Sequence, residues 1–381
     1  MKIQTLSSYI RRKDMDSVLN CMVTDHLDNG EYYDRFLKTA KEKLRFEFGL
    51  ALRSPALALS LALDCLDLPE GSIVALSALS DPWVPRLLEQ RKLLPFWLDV
   101  DAGSACISAA ALETLSGSGA RALYLAHPWG VMIDPLLLQD VGIPIIEDIS
   151  TALGGSVDGR PLDAELAASA PVPAATGSGA GGSSAEADDE TLPDDSLNYS
   201  KAGSLGMFVI LGLEHANAIT GGSGALLYTN NRRDAQVLRN LAEKVSAVEL
   251  LADMNAALAL SQLKDAERFL EKRGELFKLY EQSLIRAHKK SLMSTREARP
   301  AYYGCVVVLD SGIKDVRAYA KKKEVDTMLA FERSCVALGL VPEGSCPVAA
   351  SLANRALAFP LHPRLGKTAA QKVAKVLATL P

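Results

Sequence analysis

Residues 143–155 carry the sequence IPIIEDISTALGG, an apolar run that ends in two carboxylates and a turn of small residues. An apolar run of this length predicts a buried parallel strand, and the carboxylates at its end then lie at the carboxyl edge of a sheet. Ligands of open α/β folds bind at that edge, so Asp148 is a candidate binding residue. The alternative is that Asp148 only accepts hydrogen bonds from its own turn, at Ser150 and Thr151.

The segments around this strand alternate between apolar runs, which are typical of strands, and amphipathic stretches, which are typical of helices. The apolar runs lie at 73–79, 93–100, 122–126 and 143–146, and the helical stretches include 84–91 and 108–115. This alternation predicts right-handed βαβ units and a mostly parallel sheet flanked by helices, the α/β class. Apolar side chains at three- and four-residue spacing predict one long helix over 253–284.

The composition is that of an ordinary globular protein, with 381 residues of which 48% are hydrophobic and 23% charged. A net charge of -5 without a basic stripe argues against nucleic acid as a partner. No apolar stretch approaches the ~20 residues that span a bilayer, and the start lacks the apolar core of a signal peptide. We therefore expect a cytoplasmic protein without a membrane partner. Six cysteines form no C-x-x-C pair, so neither a metal site nor a disulfide framework is predicted.

Residues 163–202 differ from the rest of the chain because they are rich in Ala, Ser, Gly, Pro and acids and contain few large apolar side chains. Such a segment cannot bury enough surface to offset the entropy of ordering. We therefore predict a flexible insertion, after which the strand pattern resumes at Gly-Ser-Leu-Gly, residues 203–206. The insertion would lie near the ligand edge of the sheet, as a lid or as a tolerated loop.

Several motifs, in a fixed order, resemble the DegT/DnrJ/StrS family of sugar aminotransferases, which depend on pyridoxal phosphate (PLP). They are IEDISTALGG at 146–155, HPWG at 127–130 followed by Asp134, the segment 253–284, and PVAASLANRALAFPLHPRL at 347–365. The resemblance covers nearly the whole chain apart from 163–202. It implies a fold-type-I aminotransferase architecture, with a large α/β domain at 1–250, a smaller C-terminal α+β domain at 251–381, and a homodimer.

The family moves an amino group onto a keto-sugar carried on a nucleotide, so the resemblance implies PLP and a nucleotide-sugar or other small ligand. The family's aspartate at the position of Asp148 pairs with the pyridine nitrogen of PLP, where a buried carboxylate keeps that nitrogen protonated. Ser54 is a natural N-cap at the helix start that corresponds to the phosphate site. Trp83 falls about two positions from the family's aromatic ring against PLP, and His127 and Thr151 are further candidate contacts.

The chain departs from the family at the catalytic lysine. Counting from the left boundary of the motif puts that lysine at Asn217, and counting from the right puts it at Ala216. No lysine occurs between Lys201 and Lys244, so a one-residue gap does not restore it. Asparagine and alanine can neither form a Schiff base nor shuttle the α-proton.

Contacts to the cofactor phosphate are also reduced. Pro55 lacks a backbone N–H, Ala56 replaces a residue with a hydroxyl, and Gly212 stands where the family has a phosphate-binding serine. The sequence VELL at 248–251 replaces the family's N-Y-R-M, whose asparagine reaches the partner subunit's phosphate. These losses leave PLP binding in question.

Three hypotheses follow. The favoured one is a catalytically silent homologue, a pseudoenzyme that acts as a binding, regulatory or scaffold protein. The second is a PLP-dependent dehydratase that uses His215 as its base, because a subset of the family carries histidine in place of the lysine. The third is an aminotransferase that recruits Lys201 from the end of the insertion. His215 or Lys201 would have to come within direct or one-water reach of the space opposite Asp148.

Overall fold

The computed structural model describes residues 2–25, 27–158, 199–215, 217–295 and 298–381. Most of the predicted insertion at 163–202 lies outside these residues, and so does Ala216. Along the described part of the chain, no helix combines the length and the apolar character needed to cross a membrane.

The strands are short and are numbered here in chain order. They are β1 Phe48–Leu52, β2 Ile73–Ser77, β3 Leu94–Leu98, β4 Ala120–Ala126, β5 Ile145–Asp148, β6 Ser156–Asp158, β7 Tyr199–Lys201, β8 Phe208–Gly212, β9 Ala225–Thr229, β10 Lys290–Ser291, β11 Ala298–Arg299, β12 Cys305–Val308, β13 Met328–Leu329 and β14 Ala356–Phe359.

The α-helices are numbered in the same way. They are α1 Arg12–Val23, α2 Glu31–Leu44, α3 Pro55–Leu66, α4 Trp83–Gln90, α5 Ala109–Glu113, α6 Leu115–Ser118, α7 Arg232–Ala242, α8 Asp253–Lys264, α9 Ala266–Arg286, α10 Ile313–Lys322, α11 Pro347–Arg355 and α12 Lys367–Ala378. Short 3-10 helices at Pro128–Gly130, Pro135–Leu138 and Ala247–Glu249 lie in the loops between them.

Seven strands form the central sheet, in the order β1-β9-β8-β5-β4-β2-β3. The pairs from β3 through β2, β4 and β5 to β8 are parallel, whereas β9 pairs antiparallel with β8 and with β1. The predicted α/β class with a mostly parallel sheet is confirmed. The predicted strand at 143–146 begins two residues later, because Pro144 has no N–H to donate to a ladder.

Apolar side chains cover both faces of this sheet. Along β4, Leu123 and Leu125 belong to the core on one face, while Ala122 and Tyr124 belong to the core on the other. This period of two is what an apolar strand buried on both sides requires. Tyr124 therefore lies in the same core cluster as Val84 and Leu88 of α4.

Two smaller sheets complete the structure. One is antiparallel, in the order β10-β12-β14-β13, and buries Phe359 against Tyr280 of α9 and Val373 of α12. The other is the three-stranded sheet β11-β6-β7, in which the described end of the predicted insertion pairs with residues 156–158. The expected division into domains at residue 250 stays a prediction.

Two local predictions need correction. The single helix predicted over 253–284 is two helices, because Asp265 leaves helical geometry with φ −105° and its carboxylate accepts a 2.7 Å hydrogen bond from Arg11. That hydrogen bond also lowers the pKa of Asp265 to about 2. Residues 203–206 form a loop rather than the start of a strand, because three of their N–H groups donate to Glu147 instead of to a ladder.

Candidate functional site

A cavity of about 200 Å³ opens at the carboxyl ends of three neighbouring parallel strands. The last residues of β2, β4 and β5, which are Ser77, Ala126 and Asp148, all line it. Asn217, from the β8–β9 connection, and Phe331 contribute further walls. This is the edge at which open parallel sheets bind ligands, so the cavity is the candidate functional site.

Both carboxylate oxygens of Asp148 are engaged. Its Oδ2 accepts a 2.6 Å hydrogen bond from the Tyr124 hydroxyl, and its Oδ1 accepts hydrogen bonds from the backbone N–H and hydroxyl of Ser150 at 2.8 and 2.5 Å. Burial and the negative charge of Asp148 raise the pKa of Tyr124 well above its ordinary value, so the phenol stays a donor. The turn contact expected for Asp148 is present at Ser150, whereas Thr151 donates to the His127 carbonyl.

His127 lies beside a second acid that the sequence analysis did not assign. Its Nε2 donates to Glu147 Oε1 at 2.9 Å, and both side chains are fully buried. The same carboxylate accepts N–H groups from Gly203 at 2.8 Å, Leu205 at 2.8 Å and Gly206 at 2.9 Å. Glu147 therefore ties His127 to a distant loop. His127 Nδ1 has no hydrogen-bond partner among the described residues, and the residue lines the cavity.

Aromatic side chains form part of the cavity wall. Trp83 meets Tyr124 edge to face, with 6.3 Å between ring centroids. Trp129 has a left-handed backbone, with φ 54°, and its indole N–H donates to the Ala330 carbonyl at 3.1 Å. Its ring lies so close to Gly304 that a Cβ would not fit there. A bulky residue in this conformation is strained and is held only by its surroundings, here by a hydrogen bond and by close packing.

The start of α3 offers little to an anion. Ser54 caps the helix by accepting the Leu57 N–H on its hydroxyl at 3.2 Å and the Ala58 N–H on its carbonyl at 3.2 Å. Pro55 has no N–H, so the Ala56 N–H is the one backbone donor in the first turn of α3 that does not donate to Ser54. Pro55 borders the cavity, whereas Ser54 does not line it.

The β8–β9 connection is packed tightly against the end of β5. Gly212 donates its N–H to the Ser150 hydroxyl at 2.7 Å. A Cβ on Gly212 would lie 2.7 Å from Asn217 Nδ2 and 2.7 Å from Ser150 Oγ, so a serine would not fit without movement. Every lysine of the chain falls within the described residues, and none of them lines the cavity.

The charges around the cavity are negative. Asp81, Asp148 and Glu214 line it, while no lysine or arginine does so in the described part of the chain. Desolvation and the charge of Asp148 raise the pKa of Asp81, and desolvation followed by the charges of Asp81 and Asp148 raises that of Glu214. The exposed Arg333 opposes both shifts from nearby. Asp81 and Glu214 were not predicted, because each comes from a loop without a distinctive motif.

A model of the DegT/DnrJ/EryC1/StrS aminotransferase family matches residues 8–378. The chain belongs to this family. It is 31% identical over 117 residues to L-glutamine:scyllo-inosose aminotransferase of Streptomyces griseus, a match that covers 29% of this chain and 27% of that protein. It is 24% identical over 135 residues to GDP-perosamine synthase of Vibrio cholerae, covering 34% and 37%. The chain thus matches well under half the length of these curated relatives.

Solved structures of the family share the fold over nearly the whole chain. The aminotransferase TlmJ from Streptoalloteichus hindustanus has a TM-score of 0.79 at 19% identity, with 99% of this chain and 98% of that one covered. The PLP form of the sugar aminotransferase Spr1654 from Streptococcus pneumoniae has a TM-score of 0.79 at 13% identity, with 99% and 98% covered. At these identities the likeness shows the fold, and it confirms the predicted aminotransferase architecture.

The cavity of this DegT-family chain does not fit PLP in the way that its relatives' fold implies. The cavity is lined by Asn217, one of the two positions to which the sequence assigns the missing lysine, and the helix start offers one free N–H for a phosphate. Three carboxylates line the cavity that would hold a cofactor with a phosphate dianion, and the cation that interacts with Asp81 and Glu214 is the exposed Arg333. Asp148, the expected partner of the pyridine nitrogen, does line the cavity.

The structure brings five of the predicted site residues together and keeps three apart, of which Ser54 is the residue that caps α3. Those that line the cavity are Asp148, Thr151, Trp83, His127 and Asn217. Lys201 lies on β7 and lines a separate cavity of about 590 Å³. His215 is exposed, with its Nδ1 2.9 Å from the Ser8 hydroxyl. The catalytic roles suggested for Lys201 and His215 stay predictions, and their positions do not favour them.

Proposed function

We propose that this member of the DegT/DnrJ/EryC1/StrS family binds a small ligand in the cavity at Asp148 and does not transaminate. In this role the protein regulates or scaffolds, and its ligand site is the family's former catalytic cleft. The observation that carries the proposal is the absence of every lysine of the chain from the lining of that cavity, within the described residues. Without an amine in reach, no Schiff base forms and no group shuttles the α-proton.

The packing around Asn217 supports the same conclusion. Gly212 leaves no room for the family's phosphate-binding serine while Asn217 and Ser150 keep their places. Ser54 uses its own hydroxyl to cap α3, so this group is not free for a phosphate. The losses at the lysine and at the phosphate therefore belong to one repacked region.

A homodimer and a cytoplasmic location belong to the same proposal. Three large apolar side chains on one face of α1 are about half exposed, namely Met15 at 50%, Leu19 at 51% and Met22 at 56%. An apolar stripe of this kind suits contact with a second copy of the chain. A relative named GDP-perosamine synthase makes a nucleotide-linked sugar one candidate for the ligand.

The experiment that tests the absence of transamination is a titration with PLP, followed by borohydride reduction and peptide mass mapping. We expect no pyridoxyl mark on any lysine and no absorbance of an internal aldimine. The Asn217→Lys variant is the positive control, because it places an amine in the cavity that PLP can label. A saturable mark on Lys201 or on any other lysine of the unaltered chain would overturn the proposal.

The dimer is tested separately by sedimentation of the double variant Leu19→Asp and Met22→Asp. We expect a monomer with unchanged circular dichroism, because two charges would be buried in the apolar contact. Asn20→Asp adds a charge on the same helix but off the apolar face, and it should leave the dimer intact. A dimer that survives the double variant would exclude this face as the contact.

A further inference from the structure

A second cavity, of about 590 Å³, is separate from the one at Asp148. Its walls come from the end of α2, from β6, β7 and β9, and from the junction of α8 and α9. Among the described residues, none lines both cavities. The volume falls within the ~300–1,000 Å³ of sites for drug-sized ligands, so this cavity can hold an organic molecule.

The charges at the second cavity are mainly positive. Four cationic side chains and one acid line it, namely Lys43, Arg45, Lys201 and Arg299 against Glu267. Glu267 pairs with Lys43, with 3.1 Å between Oε1 and Nζ, whereas no described acid pairs with Arg45 or Lys201. Both of these cations are exposed, so they lie at the rim. A concave site lined by one sign of charge concentrates ligands of the opposite sign.

The interior of the second cavity is aliphatic. Leu263 is buried, and Leu44, Leu153 and Leu270 are half-buried along its walls. Gly154 allows the close approach of Leu270, because a Cβ there would lie 2.9 Å from Leu270 Cδ2. Removing apolar surface from water is favourable, so such walls favour a ligand with an apolar body. The cavity therefore combines a cationic rim with an apolar interior.

A buried hydroxyl without a partner is an independent observation. Tyr228 lines the second cavity and is only 1% exposed, and its hydroxyl makes no hydrogen bond to any described residue. Gly203 leaves room for this hydroxyl, because a Cβ on Gly203 would overlap it. Burial and the charge of Glu147 raise the pKa of Tyr228, so the phenol stays a donor. Buried polar groups nearly always have a partner, and an acceptor on a ligand would complete this one.

We propose that the second cavity binds an organic anion, a carboxylate or a phosphate monoester on an aliphatic body. The anionic group interacts with Arg45 and Lys201, an oxygen of the ligand accepts from the Tyr228 hydroxyl, and the body packs against Leu153 and Leu263. Carboxylates and phosphates share the chemistry that this cavity recognises. The inference concerns a different cavity from the one at Asp148, so it goes beyond the proposed function and does not depend on it.

The test is calorimetric titration of the full chain with four probes: octanoate, octyl phosphate, octanol and inorganic phosphate. We expect saturable binding of octanoate or octyl phosphate, and the tighter of the two identifies the anionic group. Octanol has the body without the charge, and inorganic phosphate has the charge without the body, so both should bind far more weakly. Equal binding of octanol or of inorganic phosphate, or no binding of either octyl anion, would overturn the proposal.

Two tyrosine variants locate the binding. Tyr228→Phe should weaken binding of the octyl anion about tenfold, because it removes a hydrogen bond to an ionised acceptor. The ring keeps its stacking on Phe46, with 4.9 Å between centroids. Tyr280→Phe is the matched control, since the Tyr280 hydroxyl is also buried without a partner but does not line the cavity. Equal affinities in the two variants would contradict the site.

The charge at the rim is tested in the same titration. Lys201→Gln should weaken binding about threefold, a modest loss because the ammonium group is exposed. Lys38→Gln removes the same charge from α2, but Lys38 is exposed and does not line the cavity, so its affinity should match that of the unaltered chain. Raising the ionic strength should also weaken binding of the octyl anion. An affinity that depends neither on Lys201 nor on salt would contradict an anion.

The same measurements recognise two other occupants of the cavity. Residues 186–195 contain six acids. Octanoate binding that appears only after these acids are changed to amides would assign the cavity to the chain itself. A changed sedimentation of Lys201→Gln, with unaltered octanoate affinity, would assign it to a second copy of the chain. Either result would overturn the ligand assignment. The probes carry no aldehyde, so this outcome is read separately from labelling by PLP.

Discussion

Glu147 and Asp148 are adjacent acids at the end of one strand, yet they have different surroundings. Glu147 is fully buried, and its carboxylate accepts three backbone N–H groups and the His127 ring. Asp148 is half-buried, lines the cavity, and is held by Tyr124 and Ser150. Successive strand residues point to opposite faces, so one acid is buried in the fold while its neighbour lines the cavity.

The strongest test of this contrast is Glu147→Gln. We expect the free energy of unfolding to fall by about 3 kcal/mol or more, because an amide cannot accept from both the ring and three N–H groups. Urea denaturation at neutral pH measures the change. Asp148→Asn is the matched control and should lower the free energy of unfolding by about 1 kcal/mol. The loss is smaller because the Ser150 hydroxyl can rotate to accept a hydrogen bond from the new amide. Equal losses in the two variants would contradict the division of roles.

The second test concerns the close packing of Gly212 against Asn217 and Ser150, beside Asp148. Gly212→Ser should destabilise the protein by about 1–3 kcal/mol, because its Cβ would lie 2.7 Å from both Asn217 Nδ2 and Ser150 Oγ. Adding Asn217→Ala should return part of that loss, and a double-mutant cycle measures how much. Gly117→Ser is the control, since a Cβ there meets nothing within 4 Å. Additive effects in the cycle would show that Asn217 is not the obstacle.

The smallest expected effect is an increase in the free energy of unfolding rather than a decrease. Asp81→Asn should stabilise the protein by about 0.5 kcal/mol at neutral pH, a value kept small because solvent partly screens this residue. The folded chain raises the pKa of Asp81 above its ordinary 3.8, so the charged form is less favourable in the folded state than in the unfolded state. The gain should therefore be complete above the folded pKa and vanish below the unfolded one. Urea denaturation at pH 7 and pH 3 measures the stability difference between the variant and the unaltered chain. A gain that persists at pH 3 would show that it does not come from the charge of Asp81.

The sheet was predictable because its signals are local. Apolar runs of four to eight residues, separated by helical stretches, specify parallel strands from short windows of sequence. The position of Asp148 followed from the same run. The break at Asp265 was not predictable, because apolar spacing continues through it and its cause is Arg11, far earlier in the chain.

The role of Glu147 illustrates why the rest of the site could not be predicted. The backbone N–H groups that donate to Glu147 are 56 to 59 residues away in the sequence. The predicted insertion at 163–202 lies between them, and no local sequence pattern indicates the contact. Asp81 and Glu214 reach the cavity from separate loops. The third hypothesis required Lys201 to reach the space opposite Asp148, whereas strand pairing with residues 156–158 places it at another cavity.

The tryptophans of the aromatic wall give the protein a built-in optical signal. Two of the chain's three tryptophans, Trp83 and Trp129, line the cavity, while the third, Trp97, lies on β3 outside it. Trp129 is clamped by Gly304 and the Ala330 carbonyl, so its emission reports the polarity of one fixed position. We therefore expect occupation of the cavity to shift the intrinsic fluorescence without any label, over a constant contribution from Trp97.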